Sequence, residues 1–266
     1  MNKKIALKYV IGAFCILWLF AGTIMIANHF GYLKAETPLY YVLFFFACIA
    51  LPICAFTLLL KNKVMPAKQL FKTMFNLKQP FSMYLLTIGF LILYFGVGTF
   101  VNVFEFKPLL ISSLLMFPIM IIGGGVEEVG WRFILQPALE SKFPFAIAAF
   151  IFGIIWSVWH LPLWLIEGTG QSSMNFGLFA IGSLGIGFVL SAIYRISKSV
   201  WLCVFFHALI NSLYTSFPDN ISSFDTSFVP TIILAVVLMI AATLLVMIKE
   251  SGGLKLTSGS GEQTLH

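Results

Sequence analysis

Five ionisable side chains interrupt long apolar runs in this sequence. They are Glu127, Glu128, Arg132, His160 and His207. A charged side chain at the centre of a bilayer costs about 2.5–3.5 kcal/mol on insertion scales, so such residues usually have a function. Carboxylates and imidazoles placed together are the groups with which hydrolases transfer protons. The sequence therefore predicts an acid/base site inside an apolar protein.

The spacing of the first four of these residues indicates different roles for them. Glu128 and Arg132 are four residues apart on one helix face, which favours an ion pair. Glu127 is rotated by about 100° from Glu128 around the same helix. We therefore expect Glu127 to escape the ion pair and to face His160 and a water molecule.

A second pair of polar residues lies on a later helix. His207 and Asn211 are four residues apart, so they project from the same helix face. A carboxylate beside an imidazole can polarise water for attack on a carbonyl group. An imidazole beside an amide can donate hydrogen bonds to the oxyanion that develops. Each residue alone has a structural explanation, such as a clamp between helices, but the whole set at one depth favours catalysis.

The composition places this site in a membrane. Of the 266 residues, 60% are hydrophobic and 10% are charged, whereas about 25% charged residues is usual in soluble domains. Eight apolar stretches approach the roughly 20 residues that a membrane-spanning helix needs. They lie near 5–27, 39–60, 82–104, 108–126, 144–166, 174–194, 199–217 and 228–248. We predict an all-α polytopic membrane protein with about eight transmembrane helices, one domain over 1–250 and no cleaved signal peptide.

The basic residues predict the orientation of the chain. Fourteen of the sixteen lysines and arginines fall on one side of the alternating spans, so both termini are expected to be cytoplasmic. This distribution explains the net charge of +6 without a nucleic-acid partner, and membrane lipids are the expected surroundings. The basic loop 61–80 fits either a short amphipathic helix on the membrane surface or a solvated loop. The Gly/Ser-rich segment 251–266 is predicted to be a disordered cytoplasmic tail.

The glycine run 123–125 directly precedes the two glutamates. It is expected to kink the fourth helix or to let another backbone approach, and the helix is expected to continue to about Glu140. A hairpin turn just beyond it brings Glu127 and His160 to the same depth, since each lies about 24 Å from the turn. His207 lies on the seventh span, so we predict a site between the fourth, fifth and seventh helices.

The three motifs resemble those of a known family. Glu-Glu-x-x-x-Arg, aromatic-x-x-x-His and His-x-x-x-Asn follow each other here on successive helices. This order resembles the CAAX protease and bacteriocin-processing family (CPBP, also called Abi), which includes the type II CAAX prenyl endopeptidases of eukaryotes. The resemblance covers about 110–215. The sequence departs from it at Trp156, where the family usually has Phe. The nearby tryptophans are interpreted as packing residues and interfacial anchors: Trp131, Trp156, Trp159 and Trp164.

The resemblance implies a multipass protease whose intramembrane site opens to the cytoplasm. Carried over by motif, Glu127 and His160 would activate the water molecule. His207 and Asn211 would stabilise the oxyanion. The large aromatic side chain is kept at Trp156, so the departure from the family bears on the shape of the substrate groove and not on catalysis.

Glu128 and Arg132 would hold the other site residues in position. The resemblance does not decide whether the site binds a metal ion. The family is often described as metalloproteases, yet a metal-free glutamate mechanism has also been argued for it. A zinc ion, if present, would be bound by Glu127, His160 and His207, because two histidines and a carboxylate are common zinc ligands. We favour the metal-free mechanism.

We expect an intramembrane endopeptidase that hydrolyses a peptide bond of a membrane-associated peptide or protein near the cytoplasmic leaflet. The short chain resembles the bacterial branch of the family, which implies leader peptides, pheromone precursors or bacteriocins as substrates in a bacterial plasma membrane. Prenylated CAAX tails fit the eukaryotic branch. The alternative is a non-catalytic protein, such as a bacteriocin-immunity factor or a scaffold. An ion-coupled transporter is less favoured, because the Glu-Glu motif has no second copy in the sequence.

Overall fold

The computed structural model describes residues 3–35, 37–103, 110–215 and 228–252. Within these ranges the chain forms helices and turns and contains no strand, which confirms the predicted all-α fold. The predicted disordered tail, 251–266, lies outside the described residues apart from its first two positions.

Twelve α-helical segments follow each other in the described part of the chain. They are α1 (Lys3–His29), α2 (Pro38–Cys48), α3 (Ala50–Lys61), α4 (Ala67–Met74), α5 (Phe81–Phe100), α6 (Leu110–Gly123), α7 (Glu128–Gly130), α8 (Gln136–Glu140), α9 (Phe145–His160), α10 (Phe176–Ser197), α11 (Val200–Thr215) and α12 (Phe228–Glu250). Between them lie 3₁₀ turns at Gly125–Glu127, Leu161–Leu165 and Gln171–Ser173, and a π-helical turn at Trp131–Leu135.

Seven helical stretches of the described residues are long and apolar enough to cross a membrane. They are Lys3–His29, Pro38–Lys61, Phe81–Phe100, Ile111–Glu140, Phe145–Leu165, Phe176–Ser197 and Phe228–Glu250. The remaining predicted span, 199–217, corresponds to α11, an apolar helix of 16 residues. Its described part is about 24 Å long and ends where the described residues end, at Thr215. The protein is therefore a polytopic α-helical membrane protein.

The second and fourth spans are not continuous α-helices. The second is interrupted at Ile49, between α2 and α3. In the fourth, the predicted kink lies at Gly124, and the chain continues through α7 and α8 to Glu140 as expected. Pro137 has no N–H for the carbonyl of Phe133, and its ring would clash with that carbonyl in a regular α-helix. The π-helical turn widens the backbone at this place.

Close packing in the bundle depends on small residues of α10. This helix lies between α9 and α12, and α11 packs against α6 and α10. A Cβ atom on Gly187 would lie 3.4 Å from the Cα of Gly153 in α9. A Cβ atom on Gly185 would lie 3.0 Å from the Cα of Ala235 in α12. Helices in lipid gain packing energy when small residues let their backbones approach in this way.

The glycine run also lets α11 approach the broken fourth span. A Cβ atom on Gly125 would lie 2.9 Å from the carbonyl oxygen of Val204, closer than real side chains come. A Cβ atom on Gly124 would overlap the amide group of Asn211. The structure therefore shows both expected effects of the run, the kink and the close approach of a second helix. Together they bring α11 against the two glutamates.

Candidate active site

Glu128 is held by two basic side chains and has no exposed surface. Its Oε2 atom accepts a hydrogen bond of 2.6 Å from Nε of Arg132, which confirms the predicted ion pair. Its Oε1 atom lies 2.9 Å from Nδ1 of His207 on α11. The second contact was not predicted, because the sequence does not show how α11 is rotated about its axis. Glu128 therefore fixes the position of His207 as well as that of Arg132.

Arg132 extends this contact into a buried polar cluster. Its Nη1 atom donates to Oε1 of Gln136 at 2.7 Å and to Oγ of Ser191 at 3.0 Å. Its guanidinium group lies 4.3 Å from the ring centre of Phe152. We call Glu128, Arg132, Gln136 and Ser191 the clamp. Sequence reasoning missed Gln136, although its position one helical turn after Arg132 is a usable signal.

A series of hydrogen bonds joins the clamp to the end of the bundle, and the side chains in it are more exposed the farther they lie from the clamp. Gln136 donates to Oε1 of Glu140 at 2.7 Å, and Oε2 of Glu140 pairs with Arg195 of α10 at 2.8 Å. Arg195 also pairs with Glu250 at the end of α12, at 2.7 Å. The clamp is therefore connected, by one series of hydrogen bonds, to the ends of α10 and α12.

Glu127 has a different environment from its neighbour. Its Oε2 atom accepts a hydrogen bond of 3.2 Å from the indole Nε1 of Trp156, and its side chain borders a cavity. Glu128, and not Glu127, forms the ion pair with Arg132, as expected. The two adjacent carboxylates thus face different surroundings, one the clamp and the other the cavity.

Trp156 links three of the predicted site residues. Its indole N–H donates to Glu127. Its carbonyl oxygen lies 2.8 Å from Nδ1 of His160. Since a carbonyl can only accept, Nδ1 of His160 carries the hydrogen and Nε2 has the free lone pair. The indole ring also meets the rings of His160 and His207 edge-on, with ring centres 5.4 Å apart in both cases. The packing role predicted for Trp156 is therefore incomplete.

One cavity of about 410 Å³ brings the predicted site residues together. Its lining includes Glu127, His160, His207 and Asn211, which come from the fourth, fifth and seventh predicted spans. The lining is otherwise mainly apolar, and it also takes residues from α1, α2, α5 and α10. The site is thus placed as predicted but is enclosed by more helices than expected.

Two tyrosines add hydroxyl groups to this cavity. Tyr94 of α5 and Tyr214 of α11 are hydrogen-bonded to each other through their hydroxyls, and both line the cavity. Tyr214 follows His207 by seven residues and Asn211 by three, so all three share one face of α11. Sequence reasoning did not include the two tyrosines. The spacing from His207 would have found Tyr214, but nothing in the sequence pairs it with Tyr94.

The expected zinc ligands do not form a metal site here. Within the ranges that the structure describes, no three His, Cys, Asp or Glu side chains are placed to hold a metal ion. Nδ1 of His207 contacts Glu128, and Nδ1 of His160 contacts a carbonyl oxygen, so neither contact occupies Nε2. The placement of Glu127, His160 and His207 among the described residues therefore disfavours a metal site, whereas the state of the ring nitrogens does not.

Comparisons with known proteins agree with the motif resemblance. Residues 107–213 match the family model described as type II CAAX prenyl endopeptidase Rce1-like. CAAX prenyl protease 2 of the organism Methanococcus maripaludis is 32% identical over 100 residues, which are 35% of this chain and 37% of that protein. The chain thus matches little more than a third of the length of this curated relative. The resemblance to CAAX proteases is confirmed, and it lies on the segment that carries the three motifs.

Proposed function

We propose that this protein is an intramembrane endopeptidase that hydrolyses a peptide bond with a water molecule activated by Glu127 and His160. The observation that carries the proposal is the shared cavity, which gathers a carboxylate, two imidazoles and an amide from three helices. The match of residues 107–213 to the Rce1-like family supports the same reaction class.

Glu127 is the general base of the proposed reaction. Its carboxylate takes a proton from water while the water oxygen attacks the carbonyl carbon of the scissile bond. His160 is the second acceptor for the water, because its Nε2 lone pair remains when Nδ1 donates to the carbonyl of Trp156. The proton then passes from Glu127 to the amine nitrogen of the leaving peptide as the tetrahedral intermediate collapses.

His207 and Asn211 stabilise the oxyanion in this proposal. A Cβ atom on Gly124 would lie 3.3 Å from Nε2 of His207, and it would overlap the amide of Asn211. Both polar groups therefore converge on the backbone at Gly124, beside the cavity. For His207 to donate from Nε2, both ring nitrogens carry hydrogen, and the carboxylate of Glu128 at 2.9 Å balances that charge. Preorganised donors of this kind contribute about 3–4 kcal/mol to catalysis.

Trp156 acts as a positioning residue. Its indole N–H donates to one oxygen of Glu127, and its ring contacts the rings of both histidines edge-on. The Phe usual in the family has no N–H, so this hydrogen bond is a feature of the present chain. The carboxylate of Glu127 is thereby held where it borders the cavity.

The substrate is proposed to be a membrane-associated peptide or protein. The curated relative is named as a CAAX prenyl protease, and an apolar cavity suits a peptide that carries apolar groups. By resemblance to the bacterial branch, leader peptides, pheromone precursors and bacteriocins are further candidates. We place the protein in a bacterial plasma membrane with both termini in the cytoplasm and the cleavage near the cytoplasmic leaflet.

The test is cleavage of a fluorogenic library of membrane-associated peptides by the full chain in liposomes. We expect wild type and Glu167→Gln to cleave at equal rates, because Glu167 is an exposed loop residue. Glu127→Gln is expected to cleave about a thousandfold more slowly, the usual scale for loss of a general base. Full activity of Glu127→Gln would refute the assignment. A cellular phenotype that Glu127→Gln retains would favour the immunity or scaffold role instead.

A further inference from the structure

The short helix α4 lies between two membrane spans and has three distinct faces. Its inward face is formed by Leu70 and Met74, which are buried, and the helix packs there against α11 and α3. Successive residues of a helix are rotated by about 100°. Phe71 and Phe75 therefore form a second face beside the inward one, and Lys68 forms part of a third face beyond the phenylalanines.

The second face of α4 is apolar and only partly covered by protein. Phe71 is 54% exposed and Phe75 is 40% exposed. Phe71 contacts Phe56 of α3 with ring centres 5.0 Å apart, and Phe75 approaches Trp201 of α11 at 6.3 Å. Since the inward face is already filled by other residues, this stripe is left for another apolar partner.

The third face carries positive charge without a protein partner. Lys68 and Lys72 are exposed and one helical turn apart, directly beside the phenylalanine stripe. Three more exposed lysines lie in the same loop: Lys61, Lys63 and Lys78. None of the five forms an ion pair with a described residue. The sequence has no acidic residue between positions 38 and 103 that could neutralise them.

Two hydrogen bonds fix the orientation of this surface. The hydroxyl of Tyr84 donates to the carbonyl oxygen of Leu77 at 2.7 Å, and Nε1 of Trp201 donates to the same hydroxyl at 2.8 Å. The loop after α4 is thus tied to the first turn of α11. The phenylalanine and lysine faces keep one arrangement relative to the bundle.

We propose that α4 is a binding surface for anionic phospholipid. The lipid phosphate binds between Lys68 and Lys72, and its acyl chains cover Phe71 and Phe75. This occupant satisfies both faces at once, since an interfacial helix inserts its apolar stripe and keeps its lysines at headgroup level. Gln69 and Thr73, on the opposite flank, face away from the lipid.

A solvated loop does not account for this arrangement. It would leave the two phenylalanines in water beside the lysines, and it gives no reason for lysines on the apolar flank. The proposal is independent of the proposed peptidase activity, because no residue of α4 lines the cavity. It has a structural consequence for the site, because the lipid would be bound against the beginning of α11, the helix that carries His207.

The experiment is native mass spectrometry of the full chain in a neutral detergent. The protein is titrated with phosphatidylglycerol or with phosphatidylcholine of the same acyl chains, and the apparent Kd of the first bound lipid is measured. We expect phosphatidylglycerol to bind at least about tenfold more tightly, because each lysine near an anionic headgroup strengthens binding about fivefold. Lys68→Gln with Lys72→Gln is expected to remove most of this preference.

The control is the double variant Lys8→Gln with Lys142→Gln, which removes the same charge at two other exposed positions. It is expected to keep the preference for phosphatidylglycerol. Equal binding of the two lipids by wild type would overturn the proposal. An equal loss of the preference for phosphatidylglycerol in both double variants would also overturn it. Inorganic phosphate is expected not to displace the lipid, and displacement would identify a site for free anions instead.

Discussion

Glu127 and Glu128 are identical in type and adjacent in sequence, yet the structure places them in opposite environments. Glu128 lies in the clamp, without exposed surface and between Arg132 and His207. Glu127 borders the cavity and accepts one hydrogen bond from Trp156. A rotation of about 100° around one helix is enough to produce this difference. A carboxylate held by cations can order a site, whereas one that faces a chamber can act on its contents.

The two environments also differ in what a substitution should do. A buried ion pair gives little net stability, but removal of one partner leaves an uncompensated charge. Substitutions in the clamp should therefore lower the stability of the protein. Substitutions of residues that border the cavity should lower the rate of cleavage.

Replacement of Arg132 should have the largest effect on stability. In Arg132→Met the carboxylate of Glu128 loses its strongest partner inside the bundle, so we expect a loss of about 3–5 kcal/mol in the free energy of unfolding. Denaturant unfolding in mixed micelles measures it. Arg195→Met is the control, because that side chain is 37% exposed and its ion pairs are worth about 1 kcal/mol or less. Equal losses of unfolding free energy in the two variants would show that the buried ion pair of the clamp matters no more for stability than the exposed ion pairs of Arg195.

A methyl group at Gly125 should disturb both environments together. In Gly125→Ala the Cβ atom meets the carbonyl oxygen of Val204, so α11 must move and carry His207 away from Glu128. Overpacking of this kind costs about 1–3 kcal/mol, and cleavage by the folded fraction should fall as well. Gly89→Ala in α5 is the control, because a Cβ atom there has no neighbour within 4 Å. Unfolding and cleavage are measured on the same samples, and a Gly125→Ala protein that behaves like the control would contradict the close approach of α11.

Loss of the indole donor of Trp156 should lower the rate and, as for any buried hydrogen bond, cost about 1 kcal/mol of stability. In Trp156→Phe the carboxylate of Glu127 loses a hydrogen bond, and we expect kcat to fall about tenfold with KM unchanged. In Trp201→Phe the lost hydrogen bond goes to the hydroxyl of Tyr84 instead, and Trp201 does not line the cavity. This control should lose about 1 kcal/mol of stability and keep its kcat. A reversed outcome, with the loss of rate in Trp201→Phe, would remove the positioning role of Trp156.

The sequence predicts the spans and the meeting of the motifs because both depend on hydropathy and helix geometry. An apolar stretch near 20 residues has few other structures available, and equal distances from a hairpin turn place Glu127 and His160 at one depth. The break at Ile49 was not predicted, although Pro52 is a usable signal, because proline has no N–H for the carbonyl of Cys48 one turn earlier.

The side-chain partners across helices could not be predicted. Spacing along one helix gives the pair of Glu128 and Arg132, but the contact of Glu128 with His207 depends on the rotation of α11. A tryptophan in an apolar helix is usually a packing residue, so the hydrogen bond from Trp156 to Glu127 has no signal beyond its position one turn before His160. The sequence leaves the cofactor open, because ligand types alone do not show how the side chains of Glu127, His160 and His207 are placed relative to one another.

The most direct measurement compares Glu127→Gln with Glu128→Gln in unfolding and in single-turnover cleavage, both per folded molecule. We predict that Glu127→Gln unfolds within about 1 kcal/mol of wild type and cleaves about a thousandfold more slowly. Glu128→Gln should lose about 2 kcal/mol or more of stability, because Arg132 then lacks its buried counter-charge. Cleavage by Glu127→Gln at the wild-type rate, or equal stability of the two variants, would contradict the assignment of one carboxylate to chemistry and the other to the clamp.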